Sequence, residues 1–186
     1  MSCPYTNIKQ LNYELMMFKH KKTTFLLLLT ITLSGCFANA FSDSSSREFH
    51  VGAITGPEIL AQFESFSHHK DDYNYTETEI TQLRTIAEPI EVKVFFGEWC
   101  HDSVREVPRL IELFKRANNN NISASFYALD TAKSDPEGQA LKYNIKRTPT
   151  VIIYKNNEEL GRFLEFPKTN WANDISQLAS SQEAAN

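Results

Sequence analysis

The chain has 186 residues, a formal net charge of −4, 41% hydrophobic and 23% charged residues. That length suits one domain plus a tail, and the composition excludes a disordered, collagen-like or disulfide-dense protein. No basic stripe offers itself to a nucleic acid. Cys3, Cys36 and Cys100 stand too far apart for a closely spaced zinc or iron–sulfur pattern.

Lys19, Lys21 and Lys22 form a basic cluster ahead of an apolar run, Phe25 to Leu33. A bilayer span needs about 20 apolar residues; this run is shorter and has the length of the apolar region of a secretory signal. Leu33-Ser34-Gly35-Cys36 follows directly. This segment resembles the lipobox of bacterial lipoproteins, whose cysteine is alkylated with diacylglycerol and becomes the new N-terminus. The resemblance implies a signal peptide over 1–36, with Cys36 as the lipidation site and the domain facing the periplasm. Phe37 follows Cys36, where inner-membrane retention usually resembles Asp, so the outer membrane is favoured. An ordinary cleaved signal ending near Ala38-Asn39-Ala40 is the alternative and leaves a soluble secreted domain. Met17, just before the basic cluster, is an alternative start. Cys3-Pro4-Tyr5-Thr6 looks like part of a glutaredoxin site, but no strand precedes it and we read it as coincidence. Residues 1–35 carry four lysines and one glutamate, so their removal takes the formal charge from −4 to −7. An acidic surface does not dock on anionic lipid. Attachment then rests on acyl chains, at about 0.8 kcal/mol per buried methylene.

Residues 37–50 read as a serine-rich flexible tether, and 51–89 as an N-terminal helical extension. In that extension Pro57–Phe66 places Ile59, Phe63 and Phe66 on one side of a helix. A second helix is expected from about Glu77 to Ala87. His68-His69 with Asp71-Asp72 lies between them and reads as a solvated loop, with no metal site. Residues 90–186 read as the α/β domain. Ile90–Phe96 is a buried strand, Gly97-Glu98-Trp99 a turn, and Cys100 to about Ala117 a helix with Val104, Val107, Ile111 and Phe114 as its apolar stripe. Pro108 interrupts that helix. Ser123–Leu129 is a second strand. Asp135-Pro136 reads as a cap with proline at the first helical position, opening a short helix to about Tyr143. Val151–Tyr154 and Leu160–Phe166 are strands joined by an Asn156-Asn157 turn. Asn170–Ala179 closes the chain with a helix.

A cysteine where a helix starts faces unpaired backbone N–H groups and the positive end of the dipole. Both favour thiolate, the species that attacks disulfides. Trp99-Cys100-His101-Asp102-Ser103, with Pro108 further along the helix and Lys146-Arg147-Thr148-Pro149-Thr150 downstream, resembles the thioredoxin family over about Ile90 to Ala179. The resemblance implies a thioredoxin-like α/β fold: a central mixed sheet with helices on both faces. It implies Cys100 as the catalytic thiol and a cis-proline loop at Thr148-Pro149 packed against it. Trp99, Thr148 and Pro149 would contact an extended substrate.

This chain departs from the family in three ways. Ser103 replaces the second cysteine, so Cys100 has no partner with which to close an internal disulfide. The family's buried aspartate is Val94 here, and its lysine partner corresponds to Phe126. Removing both charges together avoids an uncompensated buried ion. Glu165-Phe166 also stands where the family often has a glycine beside the groove. Two functions remain open. One is monothiol exchange in the cell envelope, with Cys100 forming mixed disulfides and Ser103 as a thiolate partner. Its partners would be protein or small-molecule thiols and disulfides, with no cofactor. The other is a redox-inactive peptide-binding scaffold in which Ser103 marks a degenerate site. Oxidation of Cys100 as a sensor is a third, weaker reading.

Overall fold

The computed structural model describes residues 49–181. Cys36, the segment 1–36 expected as a signal peptide, and the expected tether up to residue 48 lie outside the described residues. In chain order the elements are β1 (Gly52–Ile54), α1 (Gly56–Gln62), α2 (Glu64–Ser67), α3 (Glu77–Arg84), β2 (Ile90–Phe96), α4 (His101–Ala117), β3 (Ile122–Ala128), α5 (Gln139–Lys142), β4 (Thr150–Lys155), β5 (Glu158–Leu164) and α6 (Trp171–Ser180).

The strands form one mixed sheet in the order β1-β3-β2-β4-β5. Only β2 and β3 run parallel, with Val94 opposite Phe126; the other neighbours are antiparallel. A parallel pair needs a crossover, and α4 supplies it. Side chains alternate across β2, so Val92, Val94 and Phe96 enter one core while Phe95 enters the other. The first core is large. It takes residues from α1 to α4 and from α6, including Ile59, Phe66, Leu83, Leu110 and Ile175. The second is small and is covered by the single turn of α5 through Ala140, with Tyr127, Tyr143 and Tyr154 packed around it. Both faces carry helix, as the resemblance implies, but unequally.

Several boundaries differ from the sequence reading, each for a local reason. Strand β1 was not anticipated: three residues are too few to show alternation, and it exists by pairing with Phe126–Ala128. The expected helix over 57–66 is two helices. Phe63 takes an extended conformation (φ −104°, ψ 99°), ending α1 and opening α2. Phe63, Phe66 and Phe96 then form one ring cluster, with centroids 5.6–6.5 Å apart. Helix α3 starts at a capping box between Thr76 and Glu79 and stops at Arg84. Side-chain amides of Asn119 and Asn121 donate to the carbonyls of Leu83, Ile86 and Ala87 where the helix ends. Helix α5 begins at Gln139, later than expected. Asp135 still caps it: its carboxylate accepts from the amides of Gln139 and Ala140 at 2.7 and 2.6 Å. Asn156 and Asn157 both have positive φ (52° and 66°), which suits a tight hairpin turn.

The extension is thus built into the main core. Phe66 is fully buried, so Phe66→Ala is expected to cost about 3–5 kcal/mol. Urea unfolding of a domain starting at residue 48 measures this. A cost below about 1 kcal/mol, that of a surface change, would show that the extension does not share the core.

Candidate active site

Strand β2 ends at Phe96, and the turn Gly97-Glu98-Trp99 delivers Cys100 to the N-cap of α4 (φ −92°, ψ 118°). The cap is held by backbone: Cys100 N–H donates to Gly97 O, and Val104 N–H donates to Cys100 O, both at 3.0 Å. The thiol is partly exposed. Its Sγ–H donates to the carbonyl of Thr148 at 3.1 Å. The Thr148-Pro149 peptide bond is cis. So the motifs at Trp99-Cys100 and Thr148-Pro149, 48 residues apart, meet at one place.

Glu165 borders the same place. Its N–H donates to Pro149 O at 2.7 Å, and its carboxylate pairs with Arg147 at 2.9 Å. Glu165 adopts φ +69°, where glycine is the easier residue. Arg147 is therefore neutralised by Glu165, and Arg105 by Asp102 and Glu106. Glu106 raises the guanidinium of Arg105 above its ordinary value through their hydrogen bond. Neither arginine stands as an unpaired positive charge beside the thiol.

Trp99 is anchored. Its indole N–H donates to Leu129 O at 3.0 Å, and the Lys133 ammonium lies 5.4 Å from the ring centroid. The ring lies over Gly97: a Cβ there would stand 2.5 Å from the indole, so the turn needs glycine for close approach. His101 is exposed. Ser103 is fully buried, and its hydroxyl accepts from Gly97 N–H at 3.2 Å. That bond ties the first turn of α4 to the end of β2. Val94 and Phe126 are buried in the large core, so the space of the family's charge pair is apolar here.

Sequence reasoning missed the supports of the site. Leu129 O and Lys133 come from the segment after β3, and only the fold brings them to Trp99. It also missed Glu106, which is 4% exposed and accepts from Arg105, Arg109 and the indole of Trp171. The three charged residues at 105, 106 and 109 were a visible signal; the Trp171 partner, 65 positions away, was not.

A strand–turn–helix unit with a cysteine at the cap and a cis-proline loop against it defines a thioredoxin-like domain. The family described as thioredoxin matches residues 60–177. The chain belongs to that family. Comparison with curated proteins finds no match. Among solved structures it is similar to Trxlp from Edwardsiella tarda, at 17% identity and a TM-score of 0.39, covering 56% of this chain and 94% of that one. A protein of unknown function from Pseudomonas aeruginosa is 20% identical, with a TM-score of 0.43, over 72% of this chain and 78% of that one. Thioredoxin-2 of the malaria parasite, described as a component of protein secretion machinery, is 24% identical, with a TM-score of 0.37, over 52% and 82%.

Replacing Ser103 by alanine leaves the Gly97 amide without its acceptor. We expect a loss of about 1–3 kcal/mol, the cost of an unsatisfied buried group, in equilibrium unfolding. A serine that served only the thiol would change Cys100 alkylation and leave stability alone.

Proposed function

We propose that this protein carries out thiol–disulfide exchange through Cys100 alone, in the bacterial envelope, held by lipid on Cys36. The observation that supports this reading best is the placement of Cys100 Sγ. It sits at a helix N-cap, 3.1 Å from the carbonyl of Thr148, beside the loop that presents backbone to an extended substrate in this family. The Cys100 thiolate attacks one sulfur of a client disulfide. A new Sγ–S bond forms, the client S–S bond breaks, and the other client sulfur leaves as thiolate. With Ser103 one turn on, the active-site helix offers no second thiol to resolve the mixed disulfide. A thiol of the client, or a small-molecule thiol, attacks it and returns Cys100. Resolution by the client isomerises its disulfides; resolution by an external thiol, followed by a second turnover, reduces them.

The apolar pair Val94 and Phe126, and the use of the Ser103 hydroxyl as a backbone anchor, favour a second reading. In it the domain keeps a peptide groove and binds partners without exchange.

Cys100→Ser is expected to remove every mixed disulfide trapped from cells on non-reducing gels, while the wild type shows adducts. Partners captured equally by Cys100→Ala and wild type, with no adducts in either, would give the scaffold reading the lead. Ser103→Cys is expected to restore a dithiol: after mild oxidation, maleimide labelling followed by peptide mapping should find neither Cys100 nor the introduced thiol free.

The anchor has a separate test. Radiolabelled palmitate should enter the wild-type protein and not Cys36→Ala. A Cys36→Ala form still carrying label would refute lipidation at this residue.

A further inference from the structure

The loop that carries Thr148 and Pro149 is gripped by Glu165. The Glu165 N–H donates to Pro149 O at 2.7 Å, and its carboxylate accepts from the Arg147 guanidinium at 2.9 Å. Arg147 immediately precedes Thr148, so the two bonds hold the loop on either side of that residue. Thr150 Oγ1 donates to Arg147 O at 2.7 Å and braces the loop from within. Thr148 itself is 5% exposed, and its carbonyl accepts from Cys100 Sγ–H at 3.1 Å. A continuous chain of contacts therefore runs from Glu165, through Arg147 and Pro149, to the thiol.

Glu165 stands at φ +69°, in the left-handed region that glycine enters without steric cost. A strained residue persists where its surroundings fix it, and such residues gather at functional sites. Any residue at this position can make the bond to Pro149 O, because that bond is backbone. What glutamate adds is its carboxylate, and the carboxylate goes to Arg147.

The consequence falls on Cys100. A carbonyl oxygen only accepts. It bonds Sγ while the thiol keeps its proton, and turns the negative end of its dipole on sulfur once the proton leaves. A carbonyl pinned there opposes the helix N-terminus, which favours thiolate. The other charged or titratable groups around the thiol are Glu98 in the turn, His101, Asp102 and Arg105 on α4, and Lys133 over Trp99. Asp102 is paired with Arg105. The charges that hold the loop are Arg147 and Glu165.

We propose that Glu165 is a positioning residue for the reactive thiol: through Arg147 it pins the Thr148 carbonyl on Cys100 Sγ–H and holds the resting thiol back from attack. The proposal deepens the exchange reading of Cys100 and rests on it. Alkylation needs no disulfide partner, so a test by alkylation lets the two fail separately.

The full chain is treated with iodoacetamide, an uncharged reagent, and modification of Cys100 is followed by peptide mapping. Glu165→Gln and Arg147→Met each break the ion pair. Each is expected to raise the Cys100 rate about threefold at about pH 7, within what an exposed pair can supply. At about pH 10, above the free-cysteine value of about 8.5, both variants should match the wild type, since no proton is left to hold. Arg147→Lys keeps a cation for Glu165 and should stay near the wild-type rate. If the two charges acted only through their fields, Glu165→Gln would raise the rate and Arg147→Met would lower it. Opposite changes overturn the proposal, and so do unchanged rates. A rise of equal size at both pH values would reflect easier access to the thiol and would also overturn it. Salt tests the wild type without a substitution. At about 1 M the Debye length is about 3 Å, and the wild-type rate should rise toward that of the Gln/Met double variant. A gap between the two that salt does not narrow would overturn the clamp.

Discussion

Strand β2 is packed from both sides, with Val92, Val94, Phe95 and Phe96 fully buried. It is the central strand of the five, with β3 parallel on one side and β4 antiparallel on the other. The helix that follows it cannot drift, because Ser103 in its first turn accepts the Gly97 amide at the strand's end. Rigid strand, short turn and tied helix together fix where the thiol of Cys100 stands. The cis-proline loop opens β4, which is hydrogen-bonded to β2, so both halves of the site hang from the same sheet. Such placement on strands holds a site more tightly than placement on loops alone.

The loss of the second cysteine belongs to a wider pattern. Val94 and Phe126 are register partners on β2 and β3, so two apolar side chains meet where the family carries opposite charges. A single remaining charge would have been costly in that core; the joint replacement is not. A buried charge on α4, Glu106, is satisfied by Arg105, Arg109 and Trp171. The polar network there joins α4 to α6 through Trp171. It lies next to a cavity that the extension closes with Tyr73 and Tyr75.

Much of this was legible beforehand. The range of β2, Ile90–Phe96, came straight from its apolar run, and the ends of α4 and α6 came within one residue from their apolar stripes and caps. Cys100, Trp99 and the Thr148-Pro149 loop were visible because their motifs are local. Elements with weak local signals were missed. Strand β1 is three residues long and is defined by its partner; the break at Phe63 serves rings that come from α2 and β2. The capping of α5 shifted because Asp135 reaches its amides across an intervening turn.

The order of the longer strands and helices, and the presence of a thiol where a helix begins, were already written in the chain. Periodicity, capping residues and motif spacing are properties of neighbouring positions. Packing alone settled that Ser103 bonds Gly97, that the Cys100 thiol meets the Thr148 carbonyl, and that Glu106 on α4 accepts from the indole of Trp171. These contacts depend on the directions in which separate elements meet, which no local pattern encodes.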